Sequence, residues 1–222
     1  MQIPFQIAKG LRVELAMLLS FPSSPRRQFV EDCKRGDLEL VRDHLIWGKH
    51  EKVIREVKFT GLMMAVKGGH TEIVSLLLHQ DQRFNPNKPW KPWKHGEVRP
   101  VNEMRDTPIH LAAMKVDTAC LEILLRCERI NPNTKNREGR TPLMEAIRCG
   151  RQMAVEMLLR DDRVFPNTRR SALTSEIKDS EGKTSLCWAI ERNQMACIDL
   201  LLPRSDLRTR DYHKRSAMEV AR

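Results

Sequence analysis

The stretch TPIHLAAMKVDTACLEILL, residues 107–125, recurs along the chain. It aligns without a gap with TPLMEAIRCGRQMAVEMLL at 141–159, TGLMMAVKGGHTEIVSLLL at 60–78 and TSLCWAIERNQMACIDLLL at 184–202. Each copy opens on Thr, places Ala five residues later and closes on a Leu pair. Self-similarity at a nearly fixed period is the signature of a repeat architecture, so we predict a chain built from one repeated unit.

Each copy is predicted to form two short helices joined by a tight turn. The opening Thr can cap the first helix, and Pro108 and Pro142 fall in its first turn, where a missing N–H is tolerated. Gly69, Gly150 and Asn193 mark the turn between the helices. Leu, Ile, Val and Met at helical spacing give the second helix an apolar face. One such pair is too small to bury that face alone, so we predict an all-α solenoid of stacked helix-turn-helix units.

The repeated unit resembles the ankyrin repeat. TPIHLAA at 107–113 is close to the T-P-L-H-x-A signature of that family, GGHTEIVSLLL at 68–78 is similar to its second helix, and NPNTKNREGRTPL at 131–143 is similar to its hairpin. The resemblance covers residues 27–222 and implies β-hairpin or loop fingers between the helix pairs. It also implies that His110 ties its turn together by hydrogen bonds. Departures fall at the Pro, His and turn-Gly positions of the signature: Gly61, Ser185, Met63, Met144, Cys187 and Val116.

The same alignment predicts how the chain is divided. We expect an N-terminal capping helix and linker at 1–26 and an ankyrin repeat domain at 27–222. The expected repeats lie near 27–59, 60–106, 107–140, 141–183 and 184–215, with a partial one at 216–222. Two intervals between opening Thr residues exceed the period, so we predict enlarged fingers near 85–105 and 167–183.

Composition favours a basic helical protein and gives no sign of catalysis. The 222 residues are 41% hydrophobic but only 5% aromatic, and Lys and Arg give a net charge of +10. That charge favours an acidic protein, nucleic acid or anionic lipid as partner. The six Cys form no C-x-x-C pair, which is typical of reduced thiols in an intracellular protein, cytoplasmic or nuclear. No catalytic or phosphate-binding motif and no paired His occur, so we expect no enzyme, no metal site, no cofactor and no membrane span.

Cations recur next to the predicted turn and just before the opening Thr. If the repeats stack, these side chains would form a basic row on the concave face with few anions opposite, suited to an acidic strand. A structural interpretation stays open, because Lys and Arg near a helix C-terminus also offset the helix dipole. The candidates on this face are Lys67, Lys115, Arg140, Arg148, Lys183 and Arg192.

The first enlarged finger contains KPWKPWKHG at 88–96. Its three-residue period matches a polyproline II turn, with both Trp on one edge and the Lys on another. The Trp pair could anchor a partner, stack on nucleic-acid bases or fold back on the repeats. The candidate contact residues here are Lys88, Trp90, Lys91, Trp93 and Lys94.

These features together predict a non-catalytic protein–protein interaction module, a scaffold or adaptor. We expect it to be monomeric and to bind an acidic or phosphorylated partner through its finger tips and basic concave face. The alternatives are a nucleic-acid-binding basic solenoid and the interaction portion of a longer enzyme or signalling protein. SSPRR at 23–27 and RRSAL at 169–173 resemble kinase substrate sites, with Ser24 and Ser171 as the candidate acceptors.

Overall fold

The computed structural model describes residues 25–46, 51–80, 84–88, 105–164 and 177–221. The chain divides into two compact units, residues 1–86 with 92–101 and residues 87–91 with 102–222. Most of the expected N-terminal cap and large parts of both enlarged fingers lie outside the described residues. The repeat boundaries given above therefore remain predictions.

The first unit is built from two helix pairs. Its helices are α1 (Pro25–Arg35), α2 (Leu38–Ile46), α3 (Glu51–Gly68) and α4 (Thr71–Gln80). Helix α1 packs along α3, and α2 contacts both α3 and α4. The first helices of the two pairs are thus neighbours, as stacking of repeated pairs requires.

The start of α3 corrects one expectation. Thr60 was expected to begin a helix, but α3 begins at Glu51 and runs through it. Residues 51–60 contain no Gly or Pro to stop a helix. Gly61, at the position where other copies carry Pro, serves packing instead: a Cβ there would lie 2.7 Å from the ring of Phe29 and 3.0 Å from Cys33 Sγ. The bare backbone of α3 therefore lets α1 approach closely.

The second unit contains three complete helix pairs and one further helix. Its helices are α5 (Pro108–Ala113), α6 (Ala119–Arg126), α7 (Pro142–Arg148), α8 (Gln152–Arg160), α9 (Ser185–Glu191), α10 (Met195–Leu201), a short 3₁₀ segment (Leu202–Arg204) and α11 (Ala217–Val220). Helix α7 packs between α5 and α9, α9 also packs against α11, and α8 lies between α6 and α10. First helices form one row and second helices another, so the predicted all-α stacking of helix-turn-helix units is confirmed.

The helix starts of this unit follow from their capping residues. Thr107, Thr141 and Thr184 all have extended backbones, and α5, α7 and α9 begin directly after them. The hydroxyl oxygen of Thr141 accepts the N–H of Met144, and that of Thr184 accepts the N–H of Cys187. Each bond satisfies one of the N–H groups that a helix start leaves without a partner.

The core lies between the two rows of helices. The Ala of each repeat is fully buried, which lets successive first helices pack closely: Ala65, Ala112, Ala146 and Ala189. Leu124, Ile147, Leu158 and Leu201 are also fully buried and fill the space between first and second helices. Within the ranges described, the segments between helix pairs form turns and one isolated bridge rather than strands.

A second set of polar contacts joins successive pairs where the second helices end. Asn87 Nδ2 donates to the carbonyl of Arg129 at 2.6 Å, and Asn133 Nδ2 donates to the carbonyl of Arg163 at 2.5 Å. Both Asn residues follow Pro in the sequence. The bonds satisfy backbone carbonyls in the next repeat and so fix the register between neighbours.

Candidate partner-binding surface

The surface begins at the turns that close the fingers of the second unit. Asn136, Asp179 and Asp211 each stand five residues before the residue that caps the next helix. Asn136 Oδ1 accepts backbone N–H groups from Glu138 and Arg140 at 3.1 and 3.0 Å. Asp179 and Asp211 make the corresponding bonds in their own turns. One side chain thus folds each finger and fixes the residue that precedes the helix.

Buried Glu145 on α7 collects the charges of the first such turn. Its Oε1 accepts Arg140 Nε at 2.7 Å and Asn136 Nδ2 at 3.1 Å, and its Oε2 accepts Arg148 Nε at 2.7 Å. Burial works to raise the pKa of Glu145, but the hydrogen bonds from Arg148 and Arg140 outweigh it and hold the pKa below its usual value. Asn136 Nδ2 also donates to Asp106 at 2.9 Å. Arg140 and Arg148 are therefore held in place by one carboxylate.

Trp188 on α9 gathers three of the predicted contact residues. Its indole N–H donates to Asp179 Oδ2 at 2.8 Å, and its ring is 7% exposed. Lys183 Nζ lies 5.0 Å from the ring centroid, and the guanidinium carbons of Arg140 and Arg192 lie 5.5 and 5.8 Å from it. Cations at this distance are attracted by the face of an indole ring. The ring therefore orders positive charges contributed by two successive repeats.

Lys183 is also neutralised by carboxylates. Its Nζ lies 2.8 Å from Glu181 and 2.9 Å from Glu191, and Arg215 approaches Glu191 at 3.9 Å. Burial of Lys183 would lower its pKa, but the hydrogen bonds from Glu181 and Glu191 outweigh it and raise the pKa. Cations and carboxylates thus alternate along this part of the unit.

We name this surface the charged strip, and it differs from the row expected from the sequence. Carboxylates face the cations of the strip, so the expectation of few anions opposite them is wrong in this unit. Arg192 is the exception: in the part of the chain that the structure describes, it is exposed and contacts Trp188 with no acidic side chain recorded against it. The members of the charged strip are Arg140, Glu145, Arg148, Lys183, Trp188, Glu191 and Arg192.

The remaining predicted contact residues are placed more separately. Lys67 is exposed in the last turn of α3, in the first unit. In the second unit Lys88 is exposed, and Lys115 is half-buried in the turn after α5. Trp90, Lys91, Trp93 and Lys94 lie outside the described residues.

His110 has the structural role implied by the resemblance. Its Nε2 lies 3.0 Å from the carbonyl of Arg140, and its Nδ1 lies 3.2 Å from the backbone N of Thr107 and 2.8 Å from its hydroxyl. A carbonyl only accepts, so Nε2 carries the proton, and Nδ1 accepts the N–H of Thr107. Burial lowers the pKa of His110, although its hydrogen bonds and nearby carboxylates act in the other direction, and the neutral ring agrees with this shift.

Two members of the charged strip could not be assigned from single positions. Glu145 and Trp188 occupy the same place in successive repeats, four residues after the capping Thr. The available signal was the Asn or Asp five residues before each cap, followed three residues later by Gly139 and Gly182 with φ of 71° and 76°. That spacing predicts a tight turn with a side chain inside it. Our sequence analysis did not use it.

Among the described residues no group of three or more His, Cys, Asp and Glu side chains could hold a metal ion. The helices within the described ranges include none that is both long and apolar enough to cross a membrane.

Comparisons with known proteins agree with this architecture. A family model for three copies of the ankyrin repeat matches residues 93–170, and a model for a single ankyrin repeat matches residues 58–90, together half of the chain. Among solved structures, the chain is similar to the ankyrin repeat domain of Bcl-3, described as a unique member of the IkappaB protein family. The identity is 21%, the TM-score is 0.66, and the match covers 91% of this chain and 81% of the other. Ankyrin repeats are in general non-catalytic protein–protein interaction modules. With its repeated helix pairs, capped starts and His110 brace, the chain belongs to the ankyrin repeat family.

Proposed function

We propose that this chain is a non-catalytic scaffold or adaptor that binds an acidic or phosphorylated segment of a partner protein. The contact surface is the concave face that carries the charged strip, together with the finger tips. The observation that carries the proposal is the arrangement around Trp188, where three cations from two repeats are held beside one ring. Side chains ordered before binding lose little conformational entropy when a partner arrives, which favours recognition.

The carboxylates of the strip refine the kind of partner. Glu145 and Glu191 already neutralise several of the cations, so the strip attracts a segment with acidic residues at particular positions rather than a uniform polyanion. Arg192 is the cation best suited to receive a partner carboxylate or phosphate. A nucleic-acid backbone fits less well, because its regularly spaced phosphates would meet the glutamates of the strip.

A peptide selection tests the proposal. Random peptides displayed on phage are selected against the intact chain, and the enriched sequences are synthesised and titrated against variants. Arg192→Glu reverses the charge beside Trp188, while Arg160→Glu is the matched control at an exposed end of α8. Trp90→Ala/Trp93→Ala tests the predicted finger anchor separately.

We expect enriched peptides rich in Asp and Glu, whose affinity falls at least about tenfold with Arg192→Glu and changes less than about twofold with Arg160→Glu. Peptides that lack acidic residues, or that bind all three variants as well as the unmodified chain, would overturn the proposal. If only Trp90→Ala/Trp93→Ala binds normally, the finger is not part of the contact surface.

A further inference from the structure

The turns between first and second helices form a second continuous surface in the second unit. Arg151, which begins α8, donates from Nε to the carbonyl of Met114 at 2.9 Å, in the turn of the preceding repeat. Gln194, which begins α10, donates from Nε2 to the carbonyl of Ile147 at 2.6 Å. Each turn is therefore bonded to the repeat before it, and the three turns of this unit lie side by side.

Large apolar side chains are exposed along these turns. Val116 in the first turn is 77% exposed, Met153 in the first turn of α8 is 61% exposed, and Met195 at the start of α10 is 62% exposed. A single exposed apolar side chain on a protein surface needs no explanation, but a contiguous series is typical of an interaction site. Here one appears in each of three neighbouring repeats.

The charges around these apolar side chains are mainly positive. Lys115 and Arg151 lie in the same turns, and Arg192 borders them on the side of the charged strip. Asp117 is the acidic residue of the first turn, and it caps α6 by accepting the N–H of Ala119 at 2.9 Å. No acidic side chain is recorded against Arg151 within the described residues. The turns therefore combine exposed apolar groups with a positive field.

We propose that this turn-edge patch, formed by Lys115, Val116, Arg151, Met153 and Met195, is a second docking surface that takes an acidic amphipathic helix of a protein partner. The inference rests on the proposed function, since it assigns a further contact surface to the same binding module. It differs from the charged strip in chemistry, because its energy comes from apolar burial with charge attraction added.

The spacing of the patch specifies the partner further. Packed helices of neighbouring repeats lie about 8–10 Å apart, and seven residues of a helix rise about 10.5 Å. A partner helix lying along the edge would therefore place one apolar side chain against each repeat if its apolar residues recur about every seven residues. Acidic residues beside them would meet Lys115 and Arg151.

The peptides selected above against the intact chain also test this inference. Met153→Ser/Met195→Ser removes two exposed apolar side chains of the patch, and Leu202→Ser/Met218→Ser is the matched control at exposed positions elsewhere in the unit. Because all four side chains are at least partly exposed, we expect the variants to keep their fold, which far-UV circular dichroism and melting curves verify.

We expect at least one enriched peptide class with acidic residues and apolar residues about seven apart. Its affinity should fall at least about tenfold with Met153→Ser/Met195→Ser and change less than about twofold with the control. Peptides that lose affinity with Arg192→Glu but not with Met153→Ser/Met195→Ser would overturn the turn-edge patch and leave the proposed function standing. Enrichment of no peptide, or peptides insensitive to every variant, would overturn both.

Discussion

The repeats that contain α7 and α9 join finger to helix by the same hydrogen bond, but donor and acceptor are exchanged. In the first repeat Asn136 on the finger donates to Glu145 on the helix. In the next, Trp188 on the helix donates to Asp179 on the finger. The four residues occupy equivalent positions in the two repeats. The backbone geometry that the fold requires is therefore compatible with opposite arrangements of charge.

The exchange decides where negative charge lies. The carboxylate sits on the helix in the repeat of α7, where it fixes Arg140 and Arg148. In the repeat of α9 it sits on the finger, and the helix presents an indole ring that Lys183 and Arg192 can approach. Varying two positions per repeat thus changes the surface offered to a partner while the turn beneath it stays the same.

Asn136→Asp is the strongest test of this comparison. The new carboxylate oxygen would replace an N–H donor that lies 2.9 Å from Asp106 and 3.1 Å from Glu145. Two hydrogen bonds would be lost and a third buried negative charge added, so we expect the free energy of unfolding to fall by about 3 kcal/mol at pH 7. Urea unfolding followed by far-UV circular dichroism measures it.

The matched change is Asp179→Asn, which removes a charge at the equivalent position. The amide oxygen can still accept the N–H groups of Glu181 and Lys183, and only the bond from Trp188 is lost, so we expect a loss of about 1 kcal/mol. The penalty of Asn136→Asp should shrink at pH 5, because a protonated carboxyl can donate again, while that of Asp179→Asn should not. Equal losses at both pH values would mean that the polarity of the two bonds is not what distinguishes these repeats.

The fold could be predicted where a local signal fixes each helix start. Thr107 and Thr141 are followed by Pro, and α5 and α7 begin there as expected. Thr60 lacked such a signal, because helix-forming residues precede it and the close approach of α1, rather than a helix start, explains Gly61. Packing between elements is not visible in the pattern of one segment, so the long α3 could not be derived from it.

The candidate surface was predictable in its residue types but not in its pairing. Arg148 and Glu145 stand three apart on one helix, so their ion pair follows from helical geometry. The approach of Arg140 to Trp188 joins two repeats, and it depends on how these repeats are placed against each other. Counting cations along the alignment therefore gave the correct positions while missing the carboxylates that neutralise them.

Glu145→Gln is expected to have the next largest effect. It keeps the shape of the side chain but replaces the carboxylate that accepts from Arg140 and Arg148. We expect a loss of about 2 kcal/mol at pH 7, since both bonds are charge-assisted, with a smaller share from the one-third-exposed Arg148. Glu181→Gln is the control: Glu181 also pairs with a cation but is more than half exposed, and we expect little change.

The pH dependence of that difference has a definite sign. The folded-state pKa of Glu145 is held below its usual value, so its contribution is fully present above the usual pKa of Glu, about 4.3. It is lost as the pH falls through the lower folded-state pKa. The two chains should therefore differ by a constant amount between pH 8 and pH 5 and converge in more acidic buffer. A difference that grows on acidification would show that the carboxylate does not stabilise the fold.

Ser185→Pro should have the smallest effect, and it makes the start of α9 resemble the start of α7. Thr184 already has an extended backbone, with φ of −92° and ψ of 171°, close to the −87° and 165° of Thr141, which precedes Pro142. The N–H of Ser185 lies in the first turn, where a helix needs no donor, and Pro restricts the unfolded chain. We expect the free energy of unfolding to change by less than about 1 kcal/mol, in the stabilising direction, relative to Ser185→Ala. Because the capping bond from Cys187 to Thr184 does not involve residue 185, it should survive the change. A large loss of stability from Ser185→Pro alone would mean that the two repeats differ in backbone as well as in charge, contrary to the comparison from which these predictions start.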